Sequence, residues 1–123
     1  MTKIFVAVQA LLVVVLAASA ATAHHATIGI DTRNRVELEG IVKEIKVVNP
    51  HAKWSIEITD ENGTRDVEFE GHSRNHMYRD GFREGVVEAG DPIRFNISPM
   101  LDGSGGGFMN WFETKEGQRI SFQ

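Results

Sequence analysis

Apolar residues follow two different rhythms along this chain. Residues 4–18, IFVAVQALLVVVLAA, are apolar apart from Gln9, whereas from Arg35 onward apolar and polar residues alternate with a period of two. Such alternation is the signature of strands with one face buried. In RVELEGIVKEIKVV, Val36 and Leu38 alternate with Glu37 and Glu39, and the pattern continues past Gly40 through Ile41, Val42, Ile45 and Val47. This predicts one long strand with a kink or bulge at Gly40, where glycine commonly marks one, ended by Asn49-Pro50.

AKWSIEITD then predicts a second strand with Ala52, Trp54, Ile56 and Ile58 on its inner face. DENG supplies a hairpin turn, and TRDVEFEG returns as a third strand through Val67 and Phe69. The pattern breaks at HSRNHMYRDGFREG, where Ser73 is an N-cap type, Met77 and Tyr78 can face inward and Gly81 is a stop, so a short helix is expected. A turn at Gly90-Asp91-Pro92 leads into a fourth strand with Ile93, Phe95 and Ile97. LDGSGGG reads by composition as a flexible loop, hinge or disordered tip, and FMNWFETKEGQRISF as a fifth strand with a final hairpin around Glu116-Gly117.

This order of elements predicts an all-β fold, a small OB-like antiparallel barrel of five to six strands with one short helix between strands three and four. Closure would remove exposed strand edges; an open β-sandwich is the alternative.

The amino terminus fits none of this. A membrane-spanning helix needs about 20 apolar residues, so a run of roughly 15 behind Lys3, ending in small residues, is the layout of a cleaved secretory signal peptide. An uncleaved anchor is the alternative. Three cleavage sites compete: Ala21-Thr22-Ala23 would leave His24 first, Ala18-Ser19-Ala20 would leave Ala21, and Ser19-Ala20-Ala21 would leave Thr22. The expected organisation is a signal peptide at 1–23, an N-terminal tail at 24–34 and the barrel at 35–123, with the mature protein periplasmic or secreted and not held at a membrane.

Charge narrows the partners. Without Lys3, the 13 basic residues fall to 12 against 17 acidic ones, a formal charge of −5 with neutral histidines. That balance argues against nucleic acid, whose non-specific binding rests on phosphate neutralisation, and is compatible with a cation or a neutral ligand. The chain has no cysteine, so apolar packing has to stabilise a domain of about 100 residues without disulfides.

Three segments together resemble a family of uncharacterised, exported bacterial proteins known as a domain of unknown function: AHH at the end of the leader, VELEGIVKEIKVVNPHAKWSIEITDENG across the first two strands, and AGDPIRF before the fourth. The resemblance covers essentially all of the mature chain. It implies an exported protein whose mature chain opens on a histidine pair and whose first two strands are joined through Asn49-Pro50-His51. EFEGHSRNHMYRDGF, richer in histidine and arginine, and the long glycine-rich loop depart from the family pattern. The resemblance implies no activity.

The candidate chemistry lies in the five histidines, 24, 25, 51, 72 and 76, all outside the predicted strand interiors. Imidazoles converging in twos or threes bind copper, zinc or nickel without any thiolate. If the leader ends at Ala23, the α-amino group and Nδ1 of His24 can chelate a metal, and one further histidine completes a T-shaped set suited to copper. If it ends at Ala21, Thr22-Ala23-His24 offers an amine, two amides and an imidazole, a square-planar set for Cu(II) or Ni(II). The competing interpretation is a solvated tail. His51 and Asn49 lie in the loop bordering the usual ligand face of an OB barrel, or else cap their own turn. His72 and His76, four apart with no acidic partner between them, read as a solvated helix face, and Arg74, Arg79 and Arg83 as scattered surface charge.

Most of Trp54, Tyr78, Phe82, Phe108, Trp111 and Phe112 must fill the core, but neighbours on a strand face opposite sides, so one of Trp111 and Phe112 should lie outside the barrel as a partner surface. No nucleophile with its base, no phosphate loop and no paired-carboxylate motif occurs. The expected function is an exported small β-barrel that binds a ligand, in its sharpest form copper or zinc held by His24, His25 and His51. A metal-free module presenting an aromatic and loop face, with Asn49 and Trp111, to a protein or saccharide partner is the alternative. Catalysis ranks third and would need redox work by bound copper.

Overall fold

A computed structural model describes residues 29–123. Six strands and one helix follow in order: β1 (Val36–Lys46), β2 (Lys53–Asp60), β3 (Gly63–Glu70), α1 (Arg74–Arg79), β4 (Pro92–Pro99), β5 (Gly107–Thr114) and β6 (Arg119–Ser121). The sheet order is β3-β2-β1-β4-β5-β6, and an additional parallel pairing of β3 with β5, at Glu70 and Phe108, closes five strands into a ring. The expected OB-like barrel is therefore the fold, with β6 added to the outer edge of β5. The leader, its cleavage sites, His24 and His25 lie outside the described residues. Among the described residues no helix is long and apolar enough to cross a membrane.

β1 holds the ring together because it serves two partners. Val36 to Ile41 pair with β4, and Ile41 to Lys46 pair with β2. At the changeover the backbones approach so closely that a Cβ on Gly40 would stand 2.5 Å from Ile56 Cγ2 and 2.6 Å from the Glu57 carbonyl oxygen. Gly40 thus marks a crossing, and the bulge itself lies further on, between Val42 and Glu44. An inserted residue shifts the phase of a strand, which is how Val42 and Ile45, three apart, both turn towards the core.

The period-two pattern is realised most cleanly in β2. Ala52, Trp54, Ile56 and Ile58 are all buried, as are Ile93, Phe95 and Ile97 of β4. Across the core Phe69 meets Phe95 edge to face at 5.1 Å, and Trp54 tilts against Phe112 at 5.1 Å, a separation at which aromatic quadrupoles attract.

α1 and the turn after it bring Met77 and Phe82 into the same core, Phe82 standing 6.2 Å from both Trp54 and Phe112. The helix begins where Ser73 caps it, the hydroxyl accepting from His76 N at 3.2 Å, and Asp80 ends it just before Gly81. Tyr78 is only half-buried; its hydroxyl donates to Glu84, and Arg74 and Arg83 flank its ring.

The glycine-rich segment ends in a tight passage beside the β3–β5 closure. Gly106 (φ 72°) passes so near β3 that a Cβ there would meet the Glu68 carbonyl oxygen at 2.6 Å. Only a residue without a side chain fits that path beside the β3–β5 closure.

Candidate functional site

A cleft of about 420 Å³ opens beside the seam where β3 closes on β5. His51, from the β1–β2 loop, and His72, from the lead-in to α1, share its wall with Phe108, Phe122 and Asn110. Ile30 lies at the same cleft and is tied to the barrel by a bridge to Met100, with Asp31 N donating to the Pro99 carbonyl at 2.8 Å. The chain thus enters the described fold at this cleft.

His51 is oriented by the backbone. Its Nδ1 lies 3.2 Å from the carbonyl oxygen of Gly71. A carbonyl only accepts, so Nδ1 carries the proton and, in the neutral ring, Nε2 is left with its lone pair. The same loop is locked from both sides, since Ala52 N donates to the His72 carbonyl and Gly71 N to the Ala52 carbonyl.

His72 and His76 are not the solvated face that their spacing suggests. His72 precedes the capping residue, so it is extended rather than helical, and its ring stacks on His76 at 4.0 Å while standing edge-on to Phe108 at 4.8 Å. Burial, reinforced by the neighbouring His76, holds the His72 imidazole below the ordinary histidine range, so it is neutral at pH 7. His76 turns towards Asp80, with Nε2 3.1 Å from Oδ2 but off the line of a hydrogen bond. Asp80 is held below the usual carboxylate range, chiefly by accepting from Gln123 N at 2.9 Å.

The floor of the cleft carries a polar network. Asn110 Nδ2 donates to Asn96 Oδ1 at 3.0 Å and to Ser98 Oγ at 3.1 Å. Arg35 stands at the rim. The sequence pattern leaves Arg35, Ser98 and Asn110 unmarked, because Arg35 just ahead of β1, Ser98 on β4 and Asn110 on β5 come together only through strand pairing. Among the described residues no group of three His, Cys, Asp or Glu side chains converges to hold a metal ion.

The other expected positions fall elsewhere. Asn49 is exposed in the β1–β2 loop and forms no part of the cleft wall. Of the adjacent pair on β5, Phe112 is fully buried and Trp111 lies outside, as the alternation requires. The Arg119 guanidinium sits 3.8 Å from the Trp111 ring centroid, and Glu113 binds both Arg119 and Arg94 at 3.0 Å. A wider groove of about 690 Å³ runs by Glu57 and Glu113, but those carboxylates are already paired with Lys43 and with the two arginines.

Ring closure and the order of strands define a small OB-like barrel with a ligand-sized cleft at its seam. The chain belongs to a family of unknown function, DUF6152, whose family model matches residues 11–110. It has no significant match among curated proteins or among solved structures.

Proposed function

We propose that this protein is exported to the periplasm or beyond and binds a ligand at the His51–His72 cleft, the ligand being a transition metal ion, copper before zinc, completed by His24 and His25. The orientation of His51 carries this reading. A histidine whose Nδ1 donates to a carbonyl and whose Nε2 is left unprotonated is the arrangement found in metal-ligating histidines. A neutral His72 beside it suits the same role, since a metal binds the deprotonated imidazole.

Two imidazoles alone hold a metal weakly, so the remaining donors have to come from elsewhere. His25 is five residues before Ile30, and five extended residues span at most about 18 Å. Export is supported by the apolar run behind Lys3 and by Ala21-Thr22-Ala23 just ahead of His24. The test is to establish the mature first residue by mass spectrometry and to titrate Cu(II) and Zn(II) into the wild type, His24→Ala and His51→Ala. Each substitution should weaken Cu(II) binding by more than about tenfold, since loss even of a partner that only orients a ligand costs a metal site about that much. Unchanged affinity in both variants would reject the metal site.

A second reading draws on Trp111, which lies outside the barrel beside two arginines. In it the protein is a metal-free module that docks a protein or saccharide partner on this face. Trp111→Ala should then abolish capture of the partner while the fold is unaltered.

A further inference from the structure

The chain contains two Asn-x-Ser/Thr triplets, Asn62-Gly63-Thr64 and Asn96-Ile97-Ser98, the acceptor pattern for attaching an oligosaccharide to an asparagine amide. The barrel treats them in opposite ways. Asn96 lies on β4 between Glu37 of β1 and Trp111 of β5, is 8% exposed, and accepts from Asn110 Nδ2 at 3.0 Å. Ser98 is buried too, its hydroxyl accepting from the same amide. Asn62 instead occupies the turn between β2 and β3, inside an exposed run from Thr59 to Asp66, and its side-chain amide makes no hydrogen bond with any described residue.

The turn fixes that position outward. Asp60 Oδ1 accepts from Asn62 N at 2.8 Å, the two Asp60 oxygens receive the Arg65 guanidinium at 2.9 Å, and Gly63 takes the φ of 101° that closes the hairpin. Thr64 meets its cross-strand partner Thr59 hydroxyl to hydroxyl at 2.9 Å. A hydroxyl has one donor and two acceptor sites, so that contact leaves Thr64 able to bond a transferase. Asp60 also stands two places before Asn62, where oligosaccharyltransferases of the bacterial type favour an acidic residue; the corresponding position before Asn96 is Arg94. The Asp60–Arg65 pair is exposed on both sides, and such pairs are weakly held, so a guanidinium of the enzyme can take the place of Arg65.

We propose that Asn62 is an N-glycosylation site, modified outside the cytoplasm by an oligosaccharide delivered from a lipid-linked pyrophosphate donor. The proposal rests on the protein being exported and on neither ligand reading. In the reaction Asn62 Nδ2 attacks C1 of the first sugar. The Nδ2–C1 bond forms, the bond from C1 to the pyrophosphate oxygen breaks, the lipid pyrophosphate leaves with the electron pair, and the amide releases one proton.

The position gives the modification a use. Among the described residues β5 pairs with β3 at Glu70 alone, so the β3 edge from Gly63 to Phe69 has no strand partner on that side. Exposed edges pair with other chains unless they are charged or covered, and Arg65, Asp66 and Glu68 already supply charge. A bulky, solubilising glycan on Asn62 covers the start of that edge. It also leaves the His51–His72 cleft free, because seven strand steps, about 23 Å, separate Asp60 at the turn from Lys53 beside the seam.

The test has two arms. One is mass spectrometry, with glycopeptide sequencing, of the chain isolated from the extracytoplasmic fraction of the organism that makes it. The other is transfer in vitro from a lipid-pyrophosphate-linked oligosaccharide, by a bacterial oligosaccharyltransferase, onto the purified folded chain. In both, Asn62 should carry an oligosaccharide and Asn96 none. Transfer in vitro should be lost in Asn62→Gln and Thr64→Val and reduced in Asp60→Asn. All three altered residues are exposed, so these variants should melt close to the wild type. An exported chain with Asn62 unmodified, or converted to aspartate by the spontaneous cyclisation open to an Asn-Gly pair, overturns the proposal and leaves export standing. Refusal of the folded chain in vitro, or transfer to Asn96 in its place, overturns it equally. A chain found only inside the cell with residues 1–23 attached overturns the export reading and this proposal with it.

Discussion

The imidazole of His72 stacks on that of His76 with ring centroids 4.0 Å apart and planes 23° from parallel. Two protonated rings in that position would repel, and the carboxylate of Asp80 stands beside His76. Desolvation and repulsion therefore act together on His72, and Asp80 offsets them in part.

Stability should fall on acidification in two stages. The folded His72 has its pKa below the ordinary value of about 6.5. As pH drops through that value the unfolded chain takes up a proton that the folded chain refuses, and stability is lost down to the folded pKa. Asp80, also lowered, contributes stability that is lost below the ordinary carboxylate value of about 3.9. Melting temperatures from about pH 7.5 to pH 5 should decline in the wild type and be flatter in His72→Asn; equal slopes would dismiss the first stage.

Gly40→Ala should destabilise the barrel by about 2–3 kcal/mol, the usual cost of overpacking. The new methyl group would press on the Glu57 carbonyl as well as on Ile56, and backbone cannot swing away as a side chain can. Urea unfolding measures this directly, and a shift under about 0.5 kcal/mol would mean that β1 and β2 can part at the crossing.

Asn110→Ala should cost about 1–3 kcal/mol although the residue is only partly buried. Its amide is the donor to Asn96 Oδ1 and to Ser98 Oγ, both on buried residues of β4. Asn110→Ala combined with Asn96→Ala should then cost less than the sum of the two single changes, which a double-mutant cycle tests.

Arg119→Ala should lower stability by about 0.5–1 kcal/mol through loss of its stack on Trp111. Trp54 is fully buried, so any red shift of the tryptophan emission in this variant reports on Trp111. An unshifted emission with unchanged stability would show that the stack does not form in solution.

Particular residues show how far the local pattern reached. Ala52, Trp54, Ile56 and Ile58 could be assigned to the core because alternation states which face a strand residue is on. Ser73 could be recognised as a cap because its hydroxyl serves a backbone N–H three residues ahead. Alternation predicts a kink or bulge at Gly40, whereas the bulge lies between Val42 and Glu44 and Gly40 serves a close approach, two uses of glycine that look alike in sequence. The spacing of His72 and His76 predicts a helical pair because spacing says nothing of where the cap falls; one residue separates His72 from the helix, and its ring stands edge-on to Phe108.

The sequence by itself determined the strands, their inner faces, and the helix and its start, because each is set by contacts among residues a few positions apart, and the order of these elements pointed to a barrel. The site was decided by the tertiary structure. Arg35, His51, His72, Ser98 and Asn110 come from five separate segments, and what brings His51 and His72 beside the β1–β4–β5 side of the sheet is the pairing of Glu70 with Phe108, 38 positions apart. Period and propensity carry no record of such a closure, since a strand presents the same alternation whichever neighbour it meets.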